Sequence, residues 1–315
     1  IAAPLSGLVR VIILIILANI RAGFICLRVL NLSVVIIPTH YPVQPPEEVE
    51  QLLQLPMLGV VGHFHMHSTG KTAPAGLLEN RLISVKSPHS QPAEAFKTLR
   101  ANLLMSRVTP SHQVLMVTSP LPRDGKTTVA ANLAMVMSQL GRRVLLIDAD
   151  LRHPKLHHIF DVDTALGLSS ILLNDSYERI LVPRVDDTSL HLIPAGACPE
   201  NPSELLSSER VQRFIQAARQ RFDVIILDTP PVLAVSDALV ASEWVDGLIV
   251  VVRAGTTPKA HAKRMLAQLG DHDGQRAHSK LLGVVLNGLK PRDGGAYYGH
   301  YGSYYRSGRE LDHAA

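Results

Sequence analysis

The sequence predicts an α/β domain built on a doubly wound, mostly parallel sheet. Three observations predict it. Between Glu94 and Pro291, short apolar runs alternate with helical patterns, the rhythm of successive βα units. The runs are nearly continuous in Val, Ile and Leu, as in strands buried on both faces. One run leads straight into a Gly-Lys-Thr at 125–127 with a helical pattern behind it.

Ahead of that domain, residues 8–38 are strongly apolar but carry Arg10, Arg21 and Arg28, and the longest uncharged run between them, Val11 to Ile20, has ten residues. A spanning helix needs about 20 apolar residues, and a central arginine is costly in a bilayer. Two readings stand: a buried or poorly ordered apolar segment, or a membrane-associated one. The segment lacks the small-residue cleavage site of a signal peptide. The chain opens on Ile and not Met, as expected of a piece of a longer protein.

From Tyr41 to Ser90 the composition turns to Pro, Gly, His and Ser with one short helical stretch, PPEEVEQLL, which predicts a linker. A second Gly-Lys-Thr at 70–72 has no apolar strand before it, and Pro74 and Gly76 follow it, so it is not expected to bind phosphate. His63, His65 and His67 alternate and would share one face of an extended segment. Without a carboxylate or Cys beside them, a solvated linker is preferred to a metal site.

The expected strands are 113–119, 143–150, 190–196, 222–231, 246–255 and 281–289, with amphipathic helices including 126–140, 203–221 and 257–269. The expected organisation is an apolar segment 1–40, a linker 41–90, a domain 91–292 and a tail 293–315. Composition is consistent with this. At 46% hydrophobic residues over 315 positions the chain is not a disordered one. Cys26 and Cys198 lie far apart, which excludes a disulfide framework or Cys-based metal site and fits a reducing cytoplasm. The net charge of +4 suits an anionic membrane surface as well as nucleic acid.

The strand–loop–helix around VTSPLPRDGKTTVAANLA is the context of a phosphate-binding loop, and the fold is therefore expected to be of the P-loop NTPase type. Pro120 stands where the usual pattern has glycine. The loop works through backbone N–H groups at a helix N-terminus, a lysine (Lys126) and a hydroxyl for Mg²⁺ (Thr127), none of which needs glycine at 120. Arg123, Asp124, Gly125, Lys126, Thr127 and Thr128 are the expected ATP-binding set of the loop. Asp148 and Asp150 end one strand on the same face, and Asp228 ends another. Hard Mg²⁺ takes oxygen ligands and keeps several waters, so Thr127 and one or two of the strand-end carboxylates acting through water, with Asp148 and Asp228 the candidates, would suit it.

Of seven tyrosines, Tyr297, Tyr298, Tyr301, Tyr304 and Tyr305 crowd into nine residues of a Gly-rich, low-complexity tail, expected to be disordered. Such a cluster suits base stacking, adhesion or phosphate acceptance.

Together these features resemble the bacterial tyrosine kinases that govern capsule and exopolysaccharide assembly, in the co-polymerase–kinase arrangement. The resemblance covers roughly residues 45–305 and rests on SPLPRDGKTT, LLIDADLR, IILDTPP, PSELL, VVVRAGTT, VVLNG and the tyrosine cluster. It implies a protein-tyrosine autokinase using ATP and Mg²⁺. Lys126, Asp148 and Asp150 would be catalytic, with Asp148 the carboxylate facing the acceptor hydroxyl, and Asn287 would lie near the adenine. It implies that the five tail tyrosines accept phosphate in trans, within a ring-like homo-oligomer. That ring would form through Glu94, Lys97 and Arg100, where Lys97 replaces the family's arginine and loses the bidentate fork. Implied partners are the polysaccharide co-polymerase and export machinery, a cognate tyrosine phosphatase and the inner membrane at its cytoplasmic face, with no nucleic acid.

The rival reading is a positioning ATPase of the MinD/ParA class. That class carries an early lysine in the loop, which SPLPRDGKTT lacks, and gives no reason for clustered tyrosines. A nonenzymatic nucleotide-gated scaffold gives no reason for the set of carboxylates.

Overall fold

A computed structural model describes residues 25–29, 32–36, 43, 46–64, 82–105, 113–174, 185, 188–270 and 280–290. All seven tyrosines, His65, His67 and the Gly-Lys-Thr at 70–72 lie outside them. The chain divides into two units, Ile1–Tyr41 and Pro42–Ala315. In the first, β1 (Ile25–Val29) pairs antiparallel with β2 (Leu32–Ile36). Among the described residues no helix is long and apolar enough to cross a membrane.

The second unit is a seven-stranded sheet. Its strands are β3 (Met57–Gly62), β4 (Val114–Thr118), β5 (Val144–Asp148), β6 (Leu190–Ile193), β7 (Val224–Asp228), β8 (Gly247–Arg253) and β9 (Leu281–Leu289). They lie in the order β3-β9-β8-β4-β7-β5-β6, and every pairing is parallel. The chain leaves β4 for β5 on one side and later places β8 on the other. The crevice opened by such a reversal, at the carboxyl ends of the strands, is where ligands sit in this architecture.

Alternation along each strand feeds two cores. In β4, Val114 and Met116 join one cluster and Leu115 and Val117 the other. The first core takes in α1 (Pro46–Leu53), α6 (Leu168–Asn174), α7 (Pro202–Ser207), α8 (Glu209–Arg221), α9 (Asp237–Ser242) and α10 (Lys259–Gly270). The second takes in α3 (Gln91–Met105), α4 (Lys126–Ser138) and α5 (Leu156–Phe160), with α2 (Ile83–Lys86) against its rim. Each large apolar side chain so buried contributes roughly 1.5–3 kcal/mol.

Three elements differ from the sequence expectation. Strand β3 lies within the expected linker yet forms the sheet edge beside β9. Its six residues include Gly59 and Gly62 in Pro- and His-rich surroundings, which conceal a strand signal. Gly59 lets α3 approach closely: a Cβ there would stand 3.2 Å from the Leu99 Cβ, tight enough that Leu99 would have to give by a few tenths of an ångström. Helix α4, expected to be amphipathic, is buried on all sides except at Thr128. Its small Ala130, Ala131 and Ala134 let it lie close to the sheet. The stretch 203–221 is two helices, broken where Ser208 turns extended (φ −73°, ψ 151°). Behind the break, Val211, Phe214, Ile215 and Ala218 make the buried stripe of α8.

At the amino ends of the strands, half-buried Asp246 ties three elements together. Its Oδ2 accepts the N–H groups of Gln113 (2.9 Å) and Val114 (2.8 Å), and Arg219 of α8 grips both oxygens at 2.7 and 2.6 Å. Burial alone would raise its pKa, but Arg219 and the two backbone amides outweigh it and hold the carboxyl below its usual range. We predict that Asp246→Ala lowers stability by about 2 kcal/mol, the scale of hydrogen bonds to a charged group discounted for solvent screening. A urea titration measures it. Because the folded pKa is depressed, the contribution is present above the unfolded value of about 4 and fades only below it. The variant and parent should therefore converge in acid.

Candidate functional site

The carboxyl ends of β4, β5, β7, β8 and β9 surround a cavity of about 920 Å³ whose lining includes Lys126, Thr127, Asp150, Arg152, Arg253 and Asn287. Strand β4 delivers the phosphate loop into it. Gly125 sits at φ +102° as the N-cap of α4, in the left-handed region that favours glycine. A Cβ there would fall 1.9 Å from Asn287 Nδ2, so any other residue would also have to displace the Asn287 amide. Asn287 donates from that nitrogen to the Asp124 carbonyl at 2.8 Å. Arg123 and Thr128 line the cavity.

Lys126 is the charge at the centre. Its Nζ stands 2.9 Å from Asp150 Oδ2 and 3.8 Å from Asp228 Oδ1, and the residue is 7% exposed. Burial alone would lower its pKa, but Asp228, Asp150 and Asp148 outweigh it and hold the ammonium above its ordinary range.

Parallel register sets Asp148 beside Asp228. Asp148 is fully buried. Its Oδ1 accepts the Asp150 N–H at 3.2 Å, and its Oδ2 accepts those of Lys155 and Leu156, both at 3.0 Å, at the start of α5. Burial, then the Asp228 charge, raises its pKa against the pull of those amides. Asp150, and not Asp148, the carboxylate expected to face the acceptor hydroxyl, is the member of the pair that reaches the cavity, because the three backbone amides that bind Asp148 hold it buried. Asp150 Oδ1 also accepts the His153 N–H at 3.1 Å.

Asp228 is 1% exposed and neither of its oxygens accepts a hydrogen bond of ordinary geometry. Burial raises its pKa, opposed by the Lys126 charge and the neighbouring Thr127 hydroxyl. Three buried carboxylates thus share one lysine. A divalent cation with a water shell fits this donor set: Asp228 has unused oxygens, Thr127 has a hydroxyl, and hard Mg²⁺ binds through few carboxylates while keeping its waters.

Asp124 does not line the cavity. It is 1% exposed, and it accepts the Leu121 N–H at 3.0 Å and the Thr257 hydroxyl at 2.8 Å. Burial pushes it up to about 6, against the pull of Thr257, the Leu121 amide and Arg253.

Glu94, Lys97 and Arg100 lie on α3, away from the cavity lining. Lys97 pairs with Glu94 at 2.6 Å and donates to the Pro88 carbonyl at 3.1 Å. Arg100 donates to the Val136 carbonyl of α4 at 2.5 Å. His63 lines the cavity at the end of β3, and no metal-binding cluster of His, Cys, Asp or Glu occurs among the described residues.

Two groups escaped the sequence reading. Arg152, which lines the cavity, is held by buried Asp237 through Nε (2.8 Å) and Nη2 (3.1 Å), and Ser203 of α7 bonds the same carboxylate. Arg253 and Thr257 reach the phosphate loop from the end of β8. Arg152 ends LLIDADLR, Ser203 belongs to PSELL, and Arg253 and Thr257 belong to VVVRAGTT, stretches whose resemblance assigns these residues no role. Only the contacts, which join residues 34 to 133 positions apart, supply one.

Comparison with known proteins bears on this site. A family model described as an AAA domain matches residues 124–269. The chain is 37% identical over 226 residues to "Tyrosine-protein kinase YwqD" of Bacillus subtilis (strain 168), covering 72% of this chain and 93% of that one. It is 35% identical over 230 residues to "Tyrosine-protein kinase wzc" of Salmonella typhimurium, covering 73% of this chain but 31% of that longer protein. Among solved structures, the kinase domain of the Escherichia coli tyrosine kinase ETK superposes with a TM-score of 0.68 at 29% identity, over 79% of this chain and 96% of that one.

Proposed function

This chain belongs to the bacterial tyrosine-protein kinases, and from that premise we propose that it transfers the γ-phosphoryl group of ATP to the tyrosines of its own tail. The observation that carries this reading is the pairing of Lys126 with Asp150 and Asp228 inside a cavity at the phosphate loop. Phosphoryl transfer demands positioning and charge stabilisation above all. The N–H groups of 124 and 125, which have no acceptor among the described residues, and the Lys126 ammonium supply the anion site. Mg²⁺, held by Thr127 and Asp228 with Asp148 behind them, would neutralise phosphate charge.

A tyrosine hydroxyl, with a pKa of about 10, must lose its proton as it attacks. That proton falls to the Asp148–Asp150 pair, through Asp150, the member facing the cavity. Lys126 pairs with that carboxylate. Drawing the ammonium toward phosphate frees Asp150 to accept the proton, so one motion readies both groups.

The acceptors are Tyr297, Tyr298, Tyr301, Tyr304 and Tyr305, offered by a neighbouring subunit in a ring assembled partly through Glu94, Lys97 and Arg100. To join a partner, Glu94 and Lys97 exchange their mutual bond, and Arg100 its hold on Val136. Each phosphotyrosine adds about −1.5 to −2 charges, so a modified tail leaves the acidic site and loosens the ring. We place the protein at the cytoplasmic face of the inner membrane, working with polysaccharide co-polymerase and export machinery and reset by a tyrosine phosphatase. Nucleic acid has no part in this reading.

The test mixes a variant with all five tail tyrosines changed to Phe with a tail-intact Lys126→Met partner. We expect phosphate on the partner's tail. An unmodified tail in a demonstrably mixed oligomer would rule out transfer between subunits.

A further inference from the structure

We propose that the side chains of Asp124 and Thr257 form a brace that positions the phosphate loop from behind, neither side chain touching the nucleotide. The inference rests on the reading that this loop holds ATP.

The loop departs from its usual chemistry. Pro120 replaces a glycine, and Arg123 sits at φ +69°, a left-handed conformation that is strained for a non-glycine residue. Such a conformation persists only where surrounding contacts impose it. Asp124 supplies them from inside the loop. One carboxylate oxygen accepts the Leu121 N–H at 3.0 Å, closing the turn, and the other accepts the Thr257 hydroxyl at 2.8 Å.

Thr257 is fully buried, and its Oγ1 also accepts the Arg253 N–H at 2.8 Å. The hydroxyl has one proton, and with the oxygen already accepting from Arg253 that proton is directed at Asp124. The neighbouring carbonyls are tied outward as well. Arg253 Nη1 donates to the Arg123 carbonyl at 2.8 Å, and Asn287 Nδ2 to the Asp124 carbonyl at 2.8 Å.

The consequence follows from peptide geometry. In a trans peptide the C=O and the next N–H point in opposite directions. Carbonyls 123 and 124 are drawn toward β8 and β9, so the N–H groups of Asp124 and Gly125 are turned away from those strands. Neither N–H has a protein acceptor among the described residues. These are the donors an anion at the start of α4 would use. The brace therefore does for this loop part of what an extra glycine does elsewhere: it holds a strained turn with its donors free.

A residue acting this way should move binding more than chemistry. The experiment compares Thr257→Val, which keeps the shape and loses the hydroxyl, with Thr257→Ser, which keeps the hydroxyl. We expect Thr257→Val to weaken calorimetric binding of Mg·ADP about tenfold, with kcat at saturating ATP changed less than threefold, and Thr257→Ser to stay within twofold of the parent. In the nucleotide-free protein, amide exchange at Leu121 should accelerate in Thr257→Val only. Adding Asp124→Asn to Thr257→Val should weaken binding no further, since the partner is already lost. Unchanged Mg·ADP affinity or unchanged Leu121 protection in Thr257→Val overturns the brace. If the unsubstituted protein binds no Mg·ADP, the nucleotide reading itself fails, and the brace fails with it.

Discussion

Lys126→Met should eliminate tail phosphorylation, with a loss of at least the order of 10²–10³ that removal of one preorganised charge-stabilising donor brings. The reason is specific to this site. Lys126 is the ammonium standing between Asp150 and Asp228, so its loss removes the charge meant for phosphate and leaves buried acids that repel phosphate. The same substitution has a stability signature. Without the ammonium, the carboxyl of Asp228 binds a proton more readily in the folded state. A raised folded pKa contributes stability at low pH that is lost as pH rises through it. The variant should therefore lose stability between about pH 5 and 8 more steeply than the parent, in thermal melts across that window. Lys126→Arg, which restores the charge, should restore the shallow slope. Undiminished phosphotyrosine on Lys126→Met would remove the loop from the mechanism.

Asp228→Asn should separate stability from function. Its carboxylate is buried without a hydrogen bond of ordinary geometry, an arrangement that costs the fold energy and is retained at functional sites. Burial raises its folded pKa, so its charge is a liability that grows as pH rises. The amide, which carries no charge, should be at least as stable as the parent at pH 8. The phosphoryl-transfer rate should fall by roughly 10² or more, since an amide replaces a charged oxygen at the metal. Nucleotide affinity should become nearly independent of Mg²⁺, as measured by calorimetry with and without the metal. A variant that melts earlier at pH 8 yet keeps its Mg²⁺ dependence would make Asp228 a structural acid.

The legibility of the site in the sequence follows from how its parts are encoded. The phosphate loop, the Asp148–Asp150 pair and Asp228 each sit at the end of an apolar strand, where local pattern alone announces them. Parallel register then brings Asp148 and Asp228 side by side, which the pattern implied without stating a partner. Strand β3 was concealed because six residues with two glycines carry little periodicity among prolines and histidines. Asp124, expected in the ATP-binding set, keeps its side chain out of the cavity lining. Its neighbour Gly125 does line the cavity, but the Asp124 side chain turns inward to Thr257, 133 positions away. Arg152 with Asp237 was beyond reach for the same reason: a buried carboxylate is recognised by the partner that crosses to it. Helix α4 looks amphipathic in the sequence because its Ala-rich composition does not distinguish a face toward water from a face toward α3.

The reading as a whole stands on phosphate reaching the tail. The most direct measurement is phosphotyrosine mapping by mass spectrometry after the purified protein is incubated with Mg·ATP, with Lys126→Met alongside. The expected result is phosphate on one or more of Tyr297, Tyr298, Tyr301, Tyr304 and Tyr305 in the parent and on none of them in the variant. Steady release of ADP and inorganic phosphate, with the tail unmodified in both, would contradict it.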